Sequence, residues 1–439
     1  MQLPSLLGHT QELLAQVLSS SKPPDNLIDS FFRSRKYLGS HDRRFIAEAL
    51  YGTLRHLRRA EVILHSALNG VNVSPTEQAR LLPIVYLLRI EGQDITDDLK
   101  KVLQSSSIRI ASDELVDRIK NAPLPSPADE FERIGLEYSF PKWMVDRFVA
   151  QYGISETEQI CRSLNEQAPI TLRVNSLKGT VEECQSALQR EAVETTRTRF
   201  SSNGLNVAKR MNVFGLRSFR DGLFEVQDEG SQLICLLLDP KPTFRVLDAC
   251  AGAGGKSLAL AAIMKNRGEI VAADVNRYRL DELRKRARRA GAHNIRPRVV
   301  DDLADLREEF AGYFDLILID APCSGIGTIR RNPGMKWSVT EETVQEVSEK
   351  QRHILSSIAG LVKPGGRIAY ATCTLMEEEN EAVVESFLEK QDDFNIVDPS
   401  SLVEKWNLTE ACSGHFIKLM PHVHGTDGFF CAIMQRKTA

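Results

Sequence analysis

Between residues 244 and 374 the chain repeats a pattern that few folds accommodate. FRVLDACAGAGGKS, IVAADVNRYRL, FDLILIDAPCSG and GGRIAYATCT each begin as a short run rich in Val, Ile, Leu or Ala and end in small or acidic residues. Runs apolar on consecutive positions read as strands covered on both faces, as in a parallel sheet flanked by helices. Polar groups at their ends read as a crevice beyond the carboxyl edge of that sheet. SLALAAIMK after the first run and RLDELRKRARRAG after the second supply helices, the latter stopped by Gly291. IRPRVV adds a short strand before FDLILIDA, and GFFCAIMQR a last one. An α/β domain over 218–439 is the expectation.

A chain of 439 residues exceeds what one core usually serves. Further domains are therefore expected ahead of it. Over 1–127, apolar residues recur at helical spacing in LLAQVL, FIAEALYGTLRHL and ARLLPIVYLLRI, predicting an all-helical domain that stops at Pro123, Pro125 and Pro127. Over 128–217, a helical start, the alternating strand ITLRVNSLKG, the helix VEECQSALQREAV and shorter extended pieces predict a small α+β module. There Arg173 and Asn175 are candidates for substrate contact.

The net charge of -3 excludes a globally basic protein, so any nucleic acid must meet local patches. Residues 31–60 hold eight Arg or Lys against two acids. Arg43, Arg44, Arg55, Arg58 and Arg59 could gather into a phosphate-contacting surface once helices pack, or remain solvated helix faces. A second basic stretch, 284–298, has the same two readings. Eight dispersed Cys with no CxxC pair predict neither a zinc cluster nor a disulfide scaffold, and no metal is expected. No basic leader with an apolar core and no run of about 18 apolar residues appears, so neither secretion nor membrane spanning is expected and a cytoplasmic location is; a monomer is the separate expectation for its assembly.

The loop from Ala251 through Gly252, Ala253, Gly254 and Gly255 to Lys256 joins the first strand to its helix. Its glycines allow close backbone approach to a ligand at the helix N-terminus. The spacing is not that of a P-loop. Asp274, at the end of the next strand, can accept hydrogen bonds from ribose hydroxyls, and Asp302 can hold an adenine amino group. At this point a dinucleotide and S-adenosylmethionine both fit, and hydride and methyl transfer both stay open. Cys323 and Cys373 then weigh toward the second, because they fall at the ends of what should be neighbouring strands, one beside Asp320. RRNPGMKW adds Arg330, Arg331 and Lys336 with Trp337, a basic loop suited to phosphates and a base.

DACAGAGGK, AADV, DAPCSGIGTIRRNPGMKW, YATCT followed by EEEN, and DGFF resemble the motifs of the RNA (cytosine-5)-methyltransferases of the Nop2/Sun family. RVNS and VQDEGSQL extend the likeness over most of residues 138–439. DRRFIAEALYGTLR resembles the NusB-like domain of bacterial members that modify 16S ribosomal RNA. The resemblance implies an all-α NusB-like bundle, a small α+β module and a Rossmann-like class I methyltransferase domain. It implies S-adenosylmethionine as cofactor, held by Cys250 to Lys256, Asp274, Asp302 and Asp320. It also implies Cys373 as nucleophile and Cys323 as the group that assists release. The implied partner is 16S rRNA or a small-subunit assembly intermediate, not DNA; tRNA methylation and a non-catalytic assembly role are the alternatives. Where the family usually has Ala-Pro, this chain has Gly252-Ala253, which leaves the loop less preorganised.

Overall fold

In the computed structural model, which describes residues 1–20, 24–94, 96–104 and 110–438, the chain divides into two compact units. One is Met1–Glu166 with Ile329–Glu341, the other Gln167–Thr328 with Glu342–Ala439.

The first unit is a bundle of helices. The helices Leu3–Leu18, Ser40–Arg55, Leu57–Leu68 and Pro75–Val85 turn their apolar stripes onto a core that includes Leu7, Leu14, Leu50, Leu54, Ile63 and Ile84. The start of Pro75–Val85 is set locally: Pro75 fits the first turn, and the Ser74 hydroxyl accepts from the Glu77 amide at 3.2 Å. Helices Glu130–Glu137, Lys142–Tyr152 and Ile154–Leu164 also belong to this unit, so the stretch expected to open the α+β module lies with the bundle.

The loop expected to grip phosphates is built into that bundle. Lys336 is 1 % exposed, and its ammonium donates to the carbonyls of Arg55, Tyr138 and Ser139 and to Asn165 Oδ1. The indole N–H of Trp337 donates to Leu54 O at 2.7 Å. Arg330 is also buried, and its carbonyl accepts from Arg55. Lys336 and Trp337 thus hold loop to helix rather than reaching a base. Sequence proximity to the crevice motifs suggested otherwise, but partners 171 to 283 residues away decide their surroundings.

The second unit carries two sheets. The smaller, antiparallel with order β2-β3-β1-β4, comprises β1 (Thr171–Val174), β2 (Thr195–Arg197), β3 (Gly204–Val207) and β4 (Phe224–Val226). Because β4 pairs with β1, the sheet closes beyond the expected module boundary at residue 217. The larger sheet has β5 (Arg245–Asp248), β6 (Glu269–Asp274), β7 (Ile295–Val299), β8 (Phe314–Asp320), β9 (Val362–Thr372), β10 (Phe394–Ile396), β11 (Cys412–Ser413), β12 (Phe416–Leu419) and β13 (Phe429–Arg436). Its order is β11-β12-β13-β9-β8-β5-β6-β7, with β10 on β13.

Strands β5 to β9 run parallel, and β13 joins β9 antiparallel. The run 316–319 within β8 is apolar on consecutive positions because both faces are covered. Leu316 and Leu318 enter one core with the helices Glu229–Leu238 and Gly255–Ile263, while Phe314, Ile317 and Ile319 enter the other with Leu355 and Ile358. Reversal of order beside β5 opens the crevice at the carboxyl ends, as in Rossmann-like sheets.

Replacing Lys336 by Ala removes one buried donor from four oxygens. The expected loss is about 3 kcal/mol, from the cost of leaving such acceptors unpaired, read as a lower midpoint for the first unit in urea. An unchanged midpoint would contradict this role.

Candidate active site

The first loop of the crevice is shaped by two glycines with positive φ, Gly252 at 53° and Gly254 at 84°. A Cβ on Gly254 would come within 2.6 Å of the Leu283 side chain, so close packing as well as conformation requires glycine there. At Gly252 the added atom would meet nothing within 4 Å. The left-handed conformation suits glycine at the position where the expected proline-containing pair is missing. The amide of Gly252 donates to Asp274 Oδ2 and that of Asn276 to Asp274 Oδ1, both at 2.7 Å. Asp274 therefore ties the ends of β5 and β6 into one rim.

That rim borders a cavity of about 260 Å³. Cys250, Asp274, Asp302 and Asp320 line it, as the sequence suggested, and so do Val275, Arg279 and His353. His353 lies on the helix Glu341–Ile358, and its Nε2 is 3.2 Å from Asp302 Oδ2. No motif announces His353, because a helix face more than fifty residues from the Asp302 loop is set by packing alone. Val275 is 67 % exposed, an apolar surface without cover at the rim. Carboxylates on one side and an apolar rim on the other fit a ligand with ribose hydroxyls, an amino group, a flat base and net positive charge. S-adenosylmethionine has these groups. A larger hollow of about 610 Å³ in the first unit, bordered by Glu12, Gln16, Glu77 and Arg80, has no cysteine in its lining.

Beyond the cavity floor, Lys256 is 7 % exposed and its ammonium meets Asp320 Oδ2 at 2.6 Å. Burial alone disfavours the Lys256 charge, but the Asp320 carboxylate outweighs it and holds the pKa above the ordinary value. β8 pairs with β9 in register, Asp320 opposite Ala371. The chain leaving each strand then brings Cys323 Sγ within 3.3 Å of Cys373 Sγ. Both are half-buried and free of disulfide. The hydrogen bond to Cys373, then burial, raise the Cys323 pKa, so Cys323 is held as a thiol.

Asp248, which the sequence did not single out, is fully buried under the loop with Ser257 Oγ 2.6 Å from its Oδ2. Burial pushes its carboxyl up to about 7, against the Ser257 hydrogen bond.

The expected RNA contacts divide. Arg173 is buried and bonds Gly255 O at 2.7 Å and Gln227, while Asn175 Nδ2 bonds Gly222 O and Ala290 O. RVNS therefore anchors the small sheet to the cofactor loop and its neighbours rather than facing substrate. Glu225 of β4 pairs with Arg286 and Arg289, which supplies the acid the basic stretch lacks locally. In the first unit, Arg43 donates to Leu38 O and Arg35 O, Arg55 to Arg330 O, and Arg44, 60 % exposed, pairs with Glu48. Among the described residues, no group of three or more His, Cys, Asp or Glu could hold a metal, and no helix is long and apolar enough to cross a membrane.

Residues 235–435 match the family described as 16S rRNA methyltransferase RsmB/F, and 140–214 match the ferredoxin-like domain of the same enzymes. A probable ribosomal RNA small subunit methyltransferase B of Bacillus subtilis is 31% identical, the match covering 94% of each chain. Another from Synechocystis is 30% identical over 91% of this chain and 92% of its own. The chain belongs to the RsmB/F family. The crystal structure of PH0851 shares the fold over 99% of both chains, with TM-score 0.79 and 28% identity. Membership makes the chain an S-adenosylmethionine-dependent RNA (cytosine-5)-methyltransferase, and the crevice is its candidate cofactor site.

A buried acid with a raised pKa keeps its proton where the unfolded chain, near 3.8, has lost it. The folded state thus binds more protons between about pH 4 and 7, and stability falls as pH rises through that window. Asp248→Asn should flatten this slope in urea unfolding measured from pH 4 to 8; an identical slope would contradict the assignment.

Proposed function

We propose that the chain methylates carbon 5 of one cytosine in small-subunit ribosomal RNA through a covalent adduct between Cys373 and carbon 6. The observation that carries this reading is the Cys323–Cys373 pair beside the Lys256–Asp320 ion pair, at the ends of adjoining strands. The names of the relatives support the RNA class.

Carbon 5 of cytosine is too electron-poor to attack a methyl sulfonium readily. The Cys373 thiolate adds to carbon 6, its electron pair forming the S–C bond and the ring π electrons shifting to make carbon 5 nucleophilic. Asp320, bordering the cavity and paired with Lys256, hydrogen-bonds the base edge where charge develops. When bound, S-adenosylmethionine supplies a methyl group on a cationic sulfur that departs as a neutral thioether. Once carbon 5 is methylated, its proton must go to a base. A water that Cys323 positions takes that proton; the C–H electrons restore the ring double bond as the Cys373–C6 bond breaks and the thiolate leaves. Asp274 and the 250–256 loop hold the ribose and the amino-acid end. A cytosine within a helix must first leave its stack, at a cost of a few kcal/mol that a loop or distorted helix reduces. Arg44, exposed on the first unit, remains a candidate for phosphate contact.

The two cysteines have opposite expected phenotypes. Cys373→Ala abolishes methylation and leaves no protein–RNA adduct on a denaturing gel, whereas Cys323→Ala accumulates one. Normal turnover without adduct in Cys323→Ala would remove the release role.

A further inference from the structure

Glu379, in the EEEN that follows ATCT, has no part in the chemistry above. It is nonetheless fully buried, and its hydrogen-bond partners are uncharged. One carboxyl oxygen, Oε2, accepts from the Ser324 amide at 2.8 Å and from Gln351 Nε2 at 3.1 Å. The other, Oε1, meets the hydroxyls of Ser324 and of Thr374, the latter at 3.1 Å. Ser324 follows Cys323 and Thr374 follows Cys373. One carboxyl group therefore holds the residue next to each sulfur.

The strands cannot do this alone. Their backbone ladder ends with Ala321 N on Ala371 O and resumes where Gly327 N reaches Cys373 O at 3.0 Å; between them the Cys373 amide finds only the Cys323 sulfur, at 3.4 Å. Between those points the Ser324 amide has Glu379 as its acceptor. The Glu379 backbone is itself fixed, with Tyr370 Oη donating to its carbonyl at 2.6 Å and neighbouring Asn380 donating to Thr374 O.

We propose that Glu379 is the positioning residue that keeps the Cys323 and Cys373 loops at the spacing the reaction needs. The inference rests on the reading of Cys373 as nucleophile. Glu379 acts as a neutral acid. Its Oε1, Ser324 Oγ and Thr374 Oγ1 are in mutual contact, the two hydroxyl oxygens 2.8 Å apart, and three such contacts are completed by three protons. The hydroxyls supply two and a protonated carboxyl the third. Burial raises the Glu379 pKa in the same direction. A neutral group there also spares a thiolate in the pair from a nearby like charge.

The test measures the rate of adduct formation in the Cys323→Ala background, with unmodified small-subunit rRNA and S-adenosylmethionine, together with cofactor affinity. Adding Glu379→Ala should slow adduct formation about 100-fold, the scale of a misplacement near 1 Å, while cofactor Kd stays unchanged. Glu379→Gln, whose amide oxygen can replace Oε2 and whose amide N–H groups can replace the acid proton, should restore most of the rate. Glu379→Asp, one methylene short, should not, and it carries the comparison with Gln if the Ala variant fails to fold. Equal rates with and without Glu379, or parallel loss of cofactor binding, would overturn the proposal alone. Neither adduct nor methylation with Glu379 intact would overturn the nucleophile reading, and this inference with it; if methylation continues without adduct, the release role alone falls and the same comparison of Glu379 variants is read from the methylation rate.

Discussion

The parallel pairing of β8 with β9 is the constraint on which the rest of the site depends. Asp320 opposite Ala371 places the turns after the two strands side by side, and only that adjacency brings sulfurs 50 residues apart in sequence within 3.3 Å. A slip of one residue would send alternate side chains to opposite faces and destroy both cores. The register is therefore protected by the same apolar residues that stabilise the sheet, including Leu316, Ile317, Leu318, Ile368 and Ala369. Catalytic geometry here is a by-product of core packing, refined by hydrogen bonds where the strands end.

Much of this was legible in the sequence because it is local. Apolar runs in strands, glycines in turns and the cysteines at strand ends all advertise themselves within a dozen residues. The position of Asp274 was readable for the same reason, since it ends a strand that opens on the crevice. His353 was not, since its place over the cavity follows from how a helix packs. Nor was Asp248, which reads as one more strand-end acid until burial shows that it lies beneath the loop rather than in the crevice.

Basic residues were the hardest to read, for a single physical reason. A guanidinium or ammonium is costly to bury unless oxygens surround it, and the sequence does not reveal which distant oxygens are available. Lys336 finds three carbonyls and an amide, Arg173 a carbonyl of the cofactor loop, and Arg286 and Arg289 share Glu225. Charges that looked like a nucleic-acid surface are in large part internal fastenings. What stays outside, such as Arg44, Lys285, Arg296 and Arg298, lies beside a carboxylate in each case.

The central claim is that Cys373 activates one cytosine of small-subunit rRNA for methylation at carbon 5. The most direct measurement offers methyl-labelled S-adenosylmethionine with unmodified small-subunit rRNA, and separately tRNA, to the protein and to Cys373→Ala, then maps the labelled base. Label on carbon 5 of one rRNA cytosine, absent from the variant, is the predicted result. Label at another atom, label on tRNA alone, or label that persists in Cys373→Ala would contradict the account.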